Sequence, residues 1–130
     1  MTRRHCPTPR IAALLALSVF AACGEDPPVP GPGTLTATLV SPNGDEGAAV
    51  VALFGDGIES ISAVAPTEAF PRLDDAGARV VLINQSGGLL EFRVALADTL
   101  QRPDVVIIEV AAPDDELRLD TNAYTVEFTR

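Results

Sequence analysis

The sequence predicts an all-β domain, a small antiparallel β-sandwich of seven or eight strands. Three observations carry that prediction. Short segments either alternate apolar with polar residues or run continuously apolar, as strands do. Turn chemistry of Gly, Pro, Asn and Asp separates them roughly every ten residues. No stretch after residue 33 carries apolar residues at the helical period. A small β-barrel would use the same strand pattern and is the other architecture it allows.

Thr34 to Val40 interleaves Thr with Leu35, Ala37 and Leu39, the pattern of a strand with one buried face. Ser41-Pro42-Asn43-Gly44-Asp45-Glu46-Gly47 is a turn, since Pro presets φ and Asn-Gly tolerates positive φ. Ala48 to Phe54 is the second strand, expected to form a hairpin with the first. Gly55-Asp56-Gly57 turns the chain into a third strand, Ile58 to Ala65, which Pro66 ends. Glu68 to Pro71 reads as a short edge strand or an irregular crossover.

Asp74 to Gly77 is a turn, and Ala78 to Ile83 (ARVVLI) is a strong strand. Asn84 to Gly88 (NQSGG) is expected as a hairpin connection. Leu89 to Leu96 alternates, with Leu90, Phe92, Val94 and Leu96 on one face and Glu91 and Arg93 on the other. Asp98 to Pro103 connects to Asp104–Ala111, the most β-prone run of the chain. Pro113 to Asp120 (PDDELRLD) is ambiguous between loop and one helical turn opened by Pro and acids. Tyr124, Val126 and Phe128 alternate with Thr125, Glu127 and Thr129 in a last strand.

The chain opens differently. Arg3, Arg4 and Arg10 precede an apolar run, Ile11 to Ala22. As a helix that run would span about 18 Å at about 1.5 Å per residue, short of the roughly 30 Å bilayer core. A leader peptide fits this layout better than a membrane span. Phe20-Ala21-Ala22-Cys23 closes the run and resembles the lipobox of bacterial lipoproteins, with Phe20 standing where that family usually has Leu. The resemblance covers the first 23 residues and implies a cleaved leader over 1–22 and diacylation of Cys23, a palmitate-type anchor. A plain secretory leader is the other reading of the same run. Gly24 after the Cys implies, by the same resemblance, outer-membrane sorting where the organism has an outer membrane. Residues 24–33 (GEDPPVPGPG) read as a polyproline-like spacer of about 30 Å at about 3.1 Å per residue. The expected organisation is therefore leader 1–22, lipidated Cys and spacer 23–33, and sandwich 34–130.

The strand count and spacing are immunoglobulin-like in the loose sense. The pattern also loosely resembles cohesin-type and carbohydrate-binding-module sandwiches of bacterial secreted proteins. No motif is shared, so that likeness implies no site residues.

Composition narrows the function. The chain has 18 acidic residues against 9 Arg, with no Lys, and its net charge is −9. After Cys23 there are 18 acids and six Arg, hence −12. Such a surface repels phosphate backbones, so nucleic acid is not an expected partner. It repels anionic headgroups as well, so membrane attachment would rest on the lipid alone.

His5 is the only His, and Cys6 and Cys23 are the only Cys. After Cys23 the chain holds neither a Ser-His-acid or Ser-Lys nucleophile nor nitrogen or sulfur ligands for zinc. No enzyme activity and no cofactor are expected. The carboxylate pairs Asp45/Glu46, Asp74/Asp75 and Asp114/Asp115/Glu116 sit in turn sequences, where solvated acids are the rule. Calcium takes oxygen ligands from such loops. Its weak candidates are Asn43, Asp45, Glu46, Asp114, Asp115 and Asp120, none in the spaced calcium-loop pattern, so no metal site is expected. Glycan binding would need aromatic platforms, and after Cys23 there is no Trp, only Tyr124 and Phe54, Phe70, Phe92 and Phe128, which the core needs.

Ala48–Phe54, Val80–Ile83 and Val105–Ile108 are apolar runs, so they place apolar side chains on both faces of a sheet. Tolerated exposure or cover by a loop is one reading of that excess. A patch that meets a protein partner or a second copy is the other. The expected function is a non-catalytic, membrane-anchored envelope lipoprotein with a structural or protein-interaction role. The alternative is a calcium- or carbohydrate-binding surface module.

Overall fold

The structure, a computed structural model, describes residues 27–130. The expected leader and the expected acylation at Cys23 lie outside the described residues. Eight strands follow one another: β1 Gly33–Val40, β2 Glu46–Phe54, β3 Ile58–Ala63, β4 Glu68–Asp74, β5 Gly77–Gly88, β6 Glu91–Leu96, β7 Asp104–Ala111 and β8 Thr125–Thr129. They form two four-stranded sheets, ordered β3-β6-β1-β8 and β4-β5-β2-β7. Every pairing is antiparallel. The chain is a β-sandwich, as its alternation predicts.

The sheets face each other across one core. Leu35, Ala37 and Leu39 of β1 and Phe92, Val94 and Leu96 of β6 supply one side, all of them buried. Ala49, Val51 and Leu53 of β2 and Ala78, Val80 and Leu82 of β5 supply the other. In each strand these are every second residue, the period that sends side chains to one face.

Strands β2 to β6 are placed as the B to F strands of an immunoglobulin-type Greek key, β4-β5-β2 in one sheet and β3-β6 in the other. The flanking positions are filled differently. In that architecture the first strand lies beside B and the last beside F. Here β7 lies beside β2, β1 lies beside β6, and β8 is added outside β1.

Two expected hairpins are not formed. β1 and β2 lie in different sheets, and so do β5 and β6. A tight hairpin joins neighbours about 4.8 Å apart, whereas facing sheets are about 10 Å apart. The Ser41–Asp45 link is long enough to cross that gap, and crossing lets the apolar faces of β1 and β2 bury each other. Asn84 to Gly88 extends β5, with Gly88 opposite Glu46, and Leu89–Leu90 carries the chain over. The one adjacent-strand hairpin is β4–β5, turning at Asp75-Ala76. Glu68 opens a full edge strand that runs through Pro71 to Asp74, because an edge strand tolerates the missing donor. Pro113 to Asp120 forms turns and a single bridge from Leu117 to Ala111, with no helical turn.

Strand directions give the sandwich two distinct ends. Val29 and Gly31 meet the β6–β7 link and the C-terminus: Gly31 N–H donates to the Asp98 carboxylate at 3.2 Å, and Arg130 Nη2 donates to the Val29 carbonyl at 3.4 Å and to Thr99 Oγ1 at 2.8 Å. The β1–β2, β3–β4, β5–β6 and β7–β8 links cluster at the opposite end. There Thr67, buried, donates to the Leu89 carbonyl and accepts from the Glu91 N–H, both at 3.2 Å.

Candidate functional site

The two loops that carry the weak calcium candidates meet at the end away from the spacer. Glu46 opens β2 and is 1% exposed. Its Oε1 accepts from Ser41 Oγ at 2.6 Å and from the Tyr124 hydroxyl at 2.7 Å. Its Oε2 accepts from Arg118 Nε at 3.0 Å. Asn43 Nδ2 donates to the Tyr124 oxygen at 2.7 Å. Burial alone pushes the Glu46 carboxyl up. The hydrogen bonds from Ser41, Tyr124 and Arg118, with the Arg118 charge, outweigh it and hold the group below the usual glutamate value. Arg118 is held more firmly protonated, first by its hydrogen bond to Glu46.

Of the six calcium candidates, Asn43 and Glu46 enter this network. Asp45, Asp114, Asp115 and Asp120 face solvent. Asp114 and Asp120 cap their own turns, accepting from the N–H of Glu116 at 3.4 Å and of Asn122 at 2.8 Å. Among the described residues no group of three or more His, Cys, Asp or Glu is placed to hold a metal ion. The guanidinium of Arg118 sits at the Glu46 oxygen a cation would approach. Chemically this is a buried carboxylate satisfied by a partly exposed arginine, and it clasps the β1–β2 link to the β7–β8 link. Ser41, Arg118 and the hydroxyl of Tyr124 carry no local sequence signal for it.

The outer faces of the two sheets differ sharply in chemistry. On β3-β6-β1-β8 the outward positions are mostly polar, among them Ser60, Ser62, Thr36, Thr38, Arg93 and Glu127, with Val40 and Ala95 the apolar exceptions. On β4-β5-β2-β7 the register aligns Phe70, Val81 and Val50 in one row that ends at Glu109, with Phe54, Val106 and Ile108 around it and Glu68, Arg72, Arg79 and Asp104 at the margins of the same face. Phe70 is 55%, Val106 51% and Phe54 47% exposed. Val50, Val81, Val106 and Ile108 are second-face side chains that the apolar runs of β2, β5 and β7 predict, whereas Phe54 and Phe70, expected in the core, stand on this outer face because their strand positions alternate with the buried Leu53 and with Ala69. At the far end Leu117, 64% exposed, borders the same face with Ala48, Val50 and Val81.

Arg72 of β4 and Arg79 of β5 are direct cross-strand partners on this apolar face. Like charges placed opposite each other destabilise a sheet by up to about 1 kcal/mol. Among the described residues the ion pair is Arg118–Glu46, and neither Arg72 nor Arg79 has a carboxylate within 4.0 Å. Both line an open cleft of about 380 Å³ with Ala52, Phe54 and Asp74. The Asp74 carboxylate there accepts from the Ala76 N–H at 2.9 Å and closes the β4–β5 turn.

Compared with protein-family models, with curated proteins and with solved structures, the chain matches none.

Proposed function

We propose that this chain is a non-catalytic envelope lipoprotein, anchored through Cys23 and held off the membrane by its Pro/Gly-rich spacer, whose sandwich docks a protein partner. The observation that carries the docking role is the cluster of exposed apolar side chains, Phe54, Phe70, Val106 and Ile108, on the outer face of β4-β5-β2-β7. Apolar side chains gathered on one sheet mark an interaction surface.

A second copy fits that face poorly. Residues 27–130 carry 16 acids and six Arg, so each copy brings ten net negative charges, 6 − 16 = −10. Four strands about 4.8 Å apart and seven residues long cover about 450 Å², below the roughly 800 Å² per partner of a stable interface. A different protein need not carry that charge, and one that reaches past the flat face onto Leu117 covers more area than the sheet alone offers.

The test is site-specific photocrosslinking of the full chain in its own cells. A photoreactive residue at Phe70 or Val106 is expected to capture one discrete protein, while the same residue at Thr36 or Thr125 captures none. Equal capture from both faces would overturn the docking reading. The anchor is tested separately by a clickable fatty acid, whose label is expected on the wild type and absent from Cys23→Ser.

A further inference from the structure

We propose that Arg72 and Arg79 form a carboxylate-binding site, taking an acidic side chain of the docked partner; this rests on the docking reading above. The two arginines occupy directly opposed positions of β4 and β5 and line one cleft. Sixteen carboxylates are present in residues 27–130, yet neither arginine is paired with one. Asp74 lines the same cleft, where its Oδ1 accepts from the Ala76 N–H and neither of its carboxylate oxygens lies within 4.0 Å of either guanidinium. Like charges at opposed strand positions repel each other, and a guanidinium fork matches the two oxygens of a carboxylate. A bound anion removes the repulsion and fills the donors at once.

The surroundings select the kind of anion. Ala52 and Phe54 line the cleft, and Phe70 and Val81 continue the apolar face beside it. A monoanion on an apolar stem, such as an acidic side chain in an apolar segment, suits that setting. A phosphate dianion suffers more from the net charge of −10 and gains nothing from the apolar wall. The neighbouring positions Phe54 and Phe70 give the stem aromatic surface to cover.

The test titrates the full chain, labelled with nitrogen-15, with sodium hexanoate, and follows the arginine Nε–H signals. Hexanoate is expected to shift Arg72 and Arg79 saturably while Arg93 and Arg102 stay still. Neutral hexanamide is expected to shift neither. Arg72→Gln or Arg79→Gln is expected to weaken hexanoate about tenfold, the loss of one charge-assisted hydrogen bond. Both substitutions are at exposed positions, and an unchanged methyl spectrum verifies the fold. The site is overturned if hexanoate gives no saturable shift, if the variants bind it as the wild type does, or if inorganic phosphate binds as well as hexanoate. Crosslinking from Phe70 separates this idea from the one beneath it. Equal partner capture by the wild type and by Arg72→Gln/Arg79→Gln overturns the carboxylate site and leaves the docking face standing. No capture from the wild type, with hexanoate still titrating both arginines, overturns the docking face and supports the site.

Discussion

Glu46 and Tyr124 lie 78 residues apart, and the Tyr124 hydroxyl donates to Glu46 Oε1 at 2.7 Å inside the protein. Glu46 opens β2 and Tyr124 precedes β8, so one hydrogen bond joins the two sheets at the end where four connections gather. The carboxylate tolerates burial because Ser41 and Arg118 satisfy its remaining capacity.

Tyr124→Phe removes a hydroxyl that both donates to Glu46 and accepts from Asn43. The ring still fits, and the buried carboxylate loses one partner. The expected cost is about 1–3 kcal/mol of folding stability, read from urea denaturation. Asn43→Ala, which removes only the outer donor, is expected to cost less.

The same cluster makes stability depend on acid. The Glu46 carboxyl titrates below its ordinary 4.5 in the folded chain, so its contribution is complete above about that pH and fades as pH falls through the folded-state value. Urea midpoints of wild type and Glu46→Gln, compared pH by pH, are expected to differ near neutrality and converge in acid. A gap that holds constant through the acid range would contradict this account.

Gly77 begins β5 at the β4–β5 turn with φ of 148°, and a Cβ there would run into the Leu53 carbonyl of β2. Gly77→Ala is therefore expected to pull the hairpin from β2 and lower the melting temperature steeply. Gly44, with φ of 90° and open space around it, is the contrast. Gly44→Ala is expected to cost only the backbone strain, about 1–2 kcal/mol.

Polar substitution of the outer face separates folding from docking. Phe70→Ser with Val106→Thr alters exposed positions only, so stability is expected to stay within about 0.5 kcal/mol per site. Partner capture from a photoreactive residue at Ile108 is expected to fall sharply. Undiminished capture would remove these side chains from the interface.

Much of this was legible in the chain itself. The buried set Leu90, Phe92, Val94 and Leu96 follows directly from period-two alternation, and so do Leu35, Ala37 and Leu39. Tyr124 is buried beside the strand of Val126 and Phe128, as their shared spacing implies. The outward Val50, Val81 and Val106 are visible as runs where alternation would have sufficed. The pairing of Arg72 with Arg79 was not visible, because it depends on β4 continuing past Pro71 and on the register of its hairpin.

Periodicity, turn residues and composition mark which segments can be strands, which side of each is apolar, where the chain turns, and which chemistries lack their side chains. These are local properties, set by periodicity and by the φ preferences of Gly, Pro, Asn and Asp. Long-range packing sets which sheet each strand joins, makes Glu46 a clasped carboxylate and Asp45 beside it a solvated one, and brings two arginines to one cleft. Alternation states that one face must be buried, and it is silent on what buries it. That choice belongs to packing across the core, where residues distant in the chain become neighbours.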